Sequence, residues 1–486
     1  MRTTPTTAVL VGLAERGHLV GGEWTVGASG GTFDHHEPAT GRHQATVGLG
    51  GAAEIDAAVA SARAAQPSWA ALGPQRRAAV LVRLAELLEE GAAEAAELAA
   101  IENGTPVRIL NPAAYAAAWL RHAAAWAPAL DSGERPGRDV AVDLEPYGVV
   151  GAIPPWNGSM MGMGQKCGPA LALGNAVVAK PPEVAPFGML RFAELALEAG
   201  LPPGVLNVVV GGAEAGAALA GHGGVGKVSF TGSPATGRAV MAAAATQLTP
   251  VTLELGGKSP CIVFPDADLG AAAAMAARIG TALFSGQGCA LPTRLYVHAD
   301  VYDDVVERVR HHLGGLTVGD PLDPATVVGP VVTEAALERI LGVIDRARAE
   351  GATLLAGGAR LGGDLASGWF VAPTLFGHVD HDSDLARHEV FGPVQAALRF
   401  ETEDEALRKA NDSPYGLHAY LFTSDPTRIE RFRRGLEAGT VVVNGMGRAT
   451  PAAPFGGVKH SGFGREGGRA GMLDMVRTKT VHLRPG

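Results

Sequence analysis

From residue 148 to residue 255 the chain alternates short runs rich in Val, Ile and Ala with longer Ala- and Leu-rich segments, and that alternation limits its fold more than any other feature. The runs 148–153, 176–180, 205–210, 227–230 and 251–255 have the length and β-branched content of buried strands, while 186–199, 213–220 and 237–245 carry helical periods. Strands without polar alternation need cover on both faces, which a parallel sheet with crossover helices supplies. The pattern resumes with a strand over 261–264, a helix over 270–284, a strand over 294–298 and a helix over 301–313. Two α/β units are expected. A chain of 486 residues exceeds what one core organises, and 47% hydrophobic residues are enough to fill two.

Ahead of the first unit, residues 18–50 read as hairpins, 76–101 as one amphipathic helix and 113–127 as an Ala-rich helix. Residues 131–137 read as a polar turn and a candidate exit from the first domain. Residues 139–145 alternate like an exposed strand, and so does the tail 475–483, with Val476, Thr478, Thr480 and His482 set against Arg477 and Lys479. Such a tail must pair either at its own sheet edge or on another subunit. Residues 1–17 read as an unstructured arm without the cleavage pattern of a secretory signal.

Several classes of function are excluded by charge and cysteine use. The net charge is −9 and Lys and Arg are scattered singly, so no basic stripe invites nucleic acid or an acidic membrane. Cys167, Cys261 and Cys289 make neither a disulfide framework nor a zinc spacing, which fits a reducing, cytoplasmic compartment. The pairs His35-His36 and His311-His312 read as surface histidines, and no metal site is expected. The longest uncharged stretch, 147–165, is broken by Pro154-Pro155 and Trp156-Asn157-Gly158, so no membrane-spanning helix is expected.

Four motifs carry chemistry. Cys289 ends the run Phe284-Ser285-Gly286-Gln287-Gly288-Cys289, and Glu254 opens Glu254-Leu255-Gly256-Gly257-Lys258-Ser259-Pro260. A thiol and a carboxylate in glycine-rich turns are what covalent catalysis with a separate base requires. Between a strand and a helix, Phe230 to Gly237 includes Gly232 and Ser233, where backbone N–H groups can receive a pyrophosphate; tight strand-to-helix packing explains the glycines equally well. Lys180 and Glu183 follow the strand 176–179, either as a cation and carboxylate for a ribose or as a surface turn. Pro155-Trp156-Asn157 follows the strand 148–153, and an Asn there is a neutral oxyanion donor or a turn residue.

With these motifs in order, the chain resembles the aldehyde dehydrogenase superfamily from about residue 19 to residue 483. Glu389-Val390-Phe391-Gly392-Pro393, Asn444-Gly445, Pro454-Phe455-Gly456-Gly457 and Ser461-Gly462-Phe463-Gly464-Arg465-Glu466 extend the match, as does Arg294. The resemblance implies an α/β fold with a Rossmann-like NAD-binding domain (1–130 and 146–255), an α/β catalytic domain (256–470) and a small β-ribbon for oligomerisation (131–145 and 471–486). It implies that Cys289 attacks the aldehyde, that Asn157 holds the oxyanion, and that Glu254 activates the water that releases a carboxylate, with Lys166 and Glu466 as a proton relay. It places Trp156, Lys180, Glu183, Gly232, Ser233, Leu255, Gly256, Glu389 and Phe391 at the cofactor. Glu183 favours NAD over NADP, and a homodimer or homotetramer is expected.

The chain departs from the family in three places. Gly158 to Met163 follows Pro-Trp-Asn where an apolar or aromatic residue is usual, which suggests a roomier, adaptable substrate entrance. Ala290-Leu291-Pro292 replaces a Ser-rich sequence, and Cys167 reads as a packed thiol. Two rivals share the motifs: a coenzyme A-acylating aldehyde dehydrogenase, which generally lacks the carboxylate at Glu254, and a catalytically silent binding protein, against which intact Cys289, Asn157 and Glu254 count.

Overall fold

Every residue of the strand Val149–Ile153 is buried, as its unbroken apolar run requires, and the strand stands near the middle of an eight-stranded sheet. The computed structural model describes residues 5–131, 133–447 and 450–483; residues 1–4 and 484–486 of the expected terminal segments and Ser132 of the exit turn lie outside them. Val149–Ile153 pairs in parallel with Ala176–Ala179 on one side and Lys227–Thr231 on the other. The chain steps outward from Val149–Ile153 to Leu206–Val208, then returns across the sheet to Lys227–Thr231 and Val251–Glu254. That reversal of strand order opens a crevice at the carboxyl ends of the strands, where α/β sheets bind ligands. Antiparallel strands close both edges, His18–Val20 with Glu23–Thr25 at one and Gly462–Phe463 at the other.

A seven-stranded second sheet runs Thr353–Ala356, Thr374–Gly377, Val394–Phe400, Arg294–His298, Pro260–Val263, His418–Phe422, Thr440–Val443, parallel except at its first pair. A three-stranded ribbon joins Glu134–Gly137, Val140–Pro146 and Val476–His482. The tail therefore pairs antiparallel within its own chain, Val476 opposite Pro146 through His482 opposite Val140.

Four expectations are corrected. Residues Pro5–Arg16 form an α-helix rather than an arm, because Leu10 and Leu13 share one face and are buried in the first domain's core. The span 76–101 holds two helices, Pro74–Glu90 and Ala92–Asn103, broken at Gly91. His35 is buried, with Nε2 against the carbonyl of Glu102 at 3.2 Å and its ring edge-on to Phe187, so it is a core histidine. The span 270–284 is an α-helix only over Leu269–Ala277; a π-helical turn, Arg278–Ala282, and a 3₁₀ turn, Leu283–Gly286, follow. By length and composition alone, Leu269–Gly286 would suffice to cross a membrane, with 18 residues of mean hydropathy 1.2. In the fold, Ala272, Ala273, Ala276 and Ala277 pack into the core beside the second sheet.

Candidate active site

The π-helical turn re-aims the chain just ahead of the nucleophile, a common use of that irregularity. Phe284 and Ser285 adopt left-handed backbone, with φ of 51° and 53°. Gly286 follows at φ 73°, so close to the next segment that a Cβ would lie 2.2 Å from the carbonyl carbon of Gly392. Three contacts pin the loop: Ser285 Oγ donates to Gly329 O at 2.9 Å, Val332 N donates to Gln287 Oε1 at 3.0 Å, and Tyr420 Oη donates to Ala290 O at 3.0 Å. Cys289, at its end, is half-buried. Burial pushes its thiol up from the ordinary cysteine value, and the charges of Glu254 and Glu389 push the same way. The resting group is a neutral thiol.

Asn157 crosses from the first sheet to this loop. Its Nδ2 donates to Gln287 O at 2.8 Å, over a sequence separation of 130 residues, which brings the amide beside the nucleophile. One N–H of the amide remains for an oxyanion.

Glu254 ends the strand Val251–Glu254 and is 1% exposed, yet among the described residues neither carboxylate oxygen has a hydrogen-bond partner of good geometry. Burial pushes it well above the carboxylate range, and Glu466 adds to the shift; Lys166, the nearby Gly457 amide and Arg465 offset part of it. Glu466 is equally buried and fully partnered: Lys166 Nζ lies 2.7 Å from Oε1, and Gln165 Nε2 donates to Oε2 at 2.5 Å. Lys166 also donates to Ser229 Oγ at 3.1 Å. Sequence reasoning missed Gln165 and Ser229, although Ser229 was detectable as a hydroxyl between the apolar Val228 and Phe230 in a buried strand.

The remaining candidates line the crevice. The rings of Trp156 and Phe391 meet edge-on with centroids 5.5 Å apart. Glu389 Oε1 accepts from Gly257 N at 2.9 Å, and burial raises its carboxyl to about 7 despite that bond and the nearby Lys258 and Arg339. Gly256 allows this approach, since a Cβ there would lie 2.2 Å from Glu389 Oε2. Leu255 is buried, its N–H donating to Ser461 O at 3.0 Å. Gly232 N donates to Glu254 O at 3.0 Å, tying the two strand ends together. Ser233 caps the helix Pro234–Ala245, its Oγ accepting from Thr236 N at 3.2 Å. Lys180 is buried and donates to Gly211 O at 2.7 Å; desolvation lowers it to about 8, against the pull of Glu183. Lys180 and Glu183 stand at the end of the neighbouring strand, with no hydrogen bond to the nucleophile loop.

The expected adaptable entrance needs correcting. The helix Ser159–Ala172 turns Met160 and Met163 into the core, leaving only Gly158 and Met161 partly exposed in that stretch.

The polar groups left over suit a dinucleotide. Lys180 keeps two N–H groups after its bond to Gly211, Glu389 Oε2 has no hydrogen bond among the described residues, and an exposed helix N-terminus stands at Ser233. These groups lie at the carboxyl edge of the sheet where its strand order reverses.

The sequence matches the model of the aldehyde dehydrogenase family over residues 24–481. The chain belongs to the aldehyde dehydrogenase family. Among solved structures, HpcC from Thermus thermophilus is 40% identical with a TM-score of 0.94, covering 99% of this chain and 96% of that one. A point mutant of betaine aldehyde dehydrogenase (betB) from Staphylococcus aureus, in complex with NAD+ and with a BME-modified cysteine, is 33% identical with a TM-score of 0.94 and 98% coverage of each chain. A 3,6-anhydro-L-galactose dehydrogenase in complex with NAP is 34% identical with a TM-score of 0.93, covering 96% of this chain and 99% of that one. As a member of the aldehyde dehydrogenase family the protein is an oxidoreductase that acts on aldehydes with a nicotinamide cofactor.

Proposed function

We propose that the protein oxidises an aldehyde to a carboxylate with NAD, through a thioester on Cys289 that water activated by Glu254 hydrolyses. The observation that carries this reading is Glu254 itself: a buried carboxylate, bare of hydrogen bonds among the described residues, whose raised pKa makes it a strong base near the nucleophile. A water acceptor needs such a base; coenzyme A as acceptor does not.

Once deprotonated, Cys289 Sγ bonds to the carbonyl carbon and the π electrons move onto oxygen. Asn157 Nδ2 and the Cys289 backbone N–H hold that oxyanion, donors set before the charge develops. When bound, the nicotinamide supplies the acceptor for the hydride lost from this carbon. Trp156, Lys180, Glu183, Gly232, Ser233, Leu255, Gly256, Glu389 and Phe391 would hold the dinucleotide. Glu254 then takes a proton from water, the water oxygen attacks the thioester carbon, and the C–S bond breaks to release the carboxylate and restore Cys289. The Lys166–Glu466 pair carries the proton onward.

Rapid mixing of Glu254→Gln with aldehyde and NAD should give one burst of NADH near one equivalent per site, then a stalled steady state. Wild-type turnover in that variant, or a steady state restored only by coenzyme A, contradicts the reading. Glu183 favours NAD because a carboxylate that accepts the ribose 2′-hydroxyl repels a 2′-phosphate, and equal kcat/KM with NADP would contradict this. We also assign the ribbon to subunit pairing in a homodimer or homotetramer, and the protein to the cytoplasm, where Cys289 stays reduced.

A further inference from the structure

Residues 102–107, where the helix Ala92–Asn103 ends, touch both halves of the oxyanion arrangement. On the Asn157 side, Glu102 is fully buried: Oε2 accepts from Ser159 Oγ at 2.8 Å, and Oε1 accepts from the backbone N–H groups of Phe187 and Gly188, the latter at 3.2 Å. Asn103 Nδ2 donates to Trp156 O at 3.2 Å, while its Oδ1 accepts from Thr105 N at 3.1 Å and Thr105 Oγ1 at 2.8 Å. Consecutive side chains thus grip the backbone just before Asn157 and the side chain two residues after it. Ser159 is held in left-handed backbone at φ 37°, a conformation that a serine keeps only when its surroundings impose it.

On the nucleophile side, Gly104, at φ 81°, lies so close to the loop 329–330 that a Cβ would be 2.7 Å from Pro330 Cγ. A Cβ on Gly329 would in turn lie 2.1 Å from Gly104 O. Gly329 O is the acceptor for Ser285 Oγ in the nucleophile loop, and Val107 N donates to Pro321 O at 2.9 Å. None of residues 102–107 belongs to a motif that marks the site in the sequence.

We propose that Glu102, Asn103 and Gly104 form a positioning element that sets the Asn157 amide against the nucleophile loop, bracing the oxyanion site from both domains. This rests on the reading of Asn157 as the oxyanion donor. Rigid packing transmits displacement, and a shift of about 1 Å in a reacting geometry costs on the order of a hundredfold in rate.

Asn103→Asp is the sharpest test, because it keeps the acceptor that Thr105 uses and replaces the donation to Trp156 by a carboxylate oxygen facing the Trp156 carbonyl. Single-turnover NADH formation should fall by about tenfold or more. The Kd for NAD, and the rate at which iodoacetamide alkylates Cys289, should stay within about twofold, since alkylation builds no oxyanion. Glu102→Gln should retain most of the rate, its oxygen still facing the Phe187 and Gly188 amides and its NH₂ donating to Ser159, whereas Glu102→Ala should not. Asn157→Ala separates the two levels of the argument. Full NADH formation in that variant overturns the oxyanion reading and this proposal with it. Loss there combined with parent-like rates in Asn103→Asp overturns the positioning role alone. A matching fall of turnover and alkylation in Asn103→Asp also overturns it, because the nucleophile loop itself would then have collapsed.

Discussion

In the turn from Glu254 to Ser259, the carboxylate oxygens of Glu254, the Nζ of Lys258 and the Oγ of Ser259 are all buried without a hydrogen bond among the described residues. In the ribbon, by contrast, Val476–His482 pairs residue by residue with Val140–Pro146, and Arg477 and Lys479 lie against Glu145 at the surface. The first region and the nucleophile loop beside it store cost: unpartnered buried polar groups at about 1–3 kcal/mol each in the turn, and left-handed residues at Phe284 and Ser285 in the loop. The second follows local rules and costs nothing unusual. A fold can carry the first kind of segment only where the surrounding core holds it, which is why the expensive groups gather between the two large sheets and the inexpensive ones in the ribbon. Lys258, pushed down to about 7 by burial and by Arg294, shows how far the desolvation reaches.

The largest expected effect isolates the expensive region. Cys289→Ala should abolish NADH formation while NAD binding and the melting temperature stay near the parent's, and residual turnover in the purified variant would refute the nucleophile assignment. Gly286→Ala comes next. Its new Cβ would strike Gly392, and its φ of 73° disfavours any side chain, so kcat/KM should drop by about a hundredfold while the ribbon and its assembly remain intact. Unchanged kinetics would mean that the loop geometry is not under the constraint described.

The pH dependence sharpens the contrast further. Cys289 and Glu254 act in their deprotonated forms and both are raised, so kcat/KM should climb toward alkaline pH and fall as pH drops below the raised values. For stability the sign is opposite: a carboxyl raised on folding stabilises below its unfolded value, and that contribution is lost as pH rises through the folded one. Glu254→Gln should therefore be more stable than the parent at pH 8, by about 1–3 kcal/mol, with the gap closing near pH 4.5. Equal stability at both pH values would show that the carboxylate is solvated in solution. The smallest catalytic effect belongs to the ribbon. A chain cut after Met475 keeps Met472 and Met475 in the core and loses the strand Val476–His482. Light scattering should show smaller assemblies, with kcat per site within about twofold. Unchanged assembly would mean that the ribbon pairs only within its own subunit.

Much of this was readable in the residues. The strands Val149–Ile153, Ala176–Ala179 and Lys227–Thr231 follow from runs too apolar to face water; Asn157 stands in a turn after a strand, Glu254 closes one, and Cys289 ends a glycine-rich run after a helical span. The helix Pro5–Arg16 was not readable as one, because its apolar stripe is short and its stability comes from the core it meets, not from propensity. The π-helical turn was hidden as well, since Arg278–Ala282 continues an apolar helical pattern and only packing against the second sheet forces the extra residue into the turn.

By itself, the sequence determined the α/β alternation, the strand ends that carry chemistry, and a thiol, an amide and a carboxylate of the types that aldehyde oxidation uses. The tertiary structure alone decided that Lys166 meets Glu466 across 300 residues, that Glu254 is bare while Glu466 is satisfied, and that the corner at Glu102 and Asn103 braces Asn157. The physical reason is that residue type and spacing set which bonds a group can make, whereas desolvation, partner distance and strain depend on what the rest of the chain places around it.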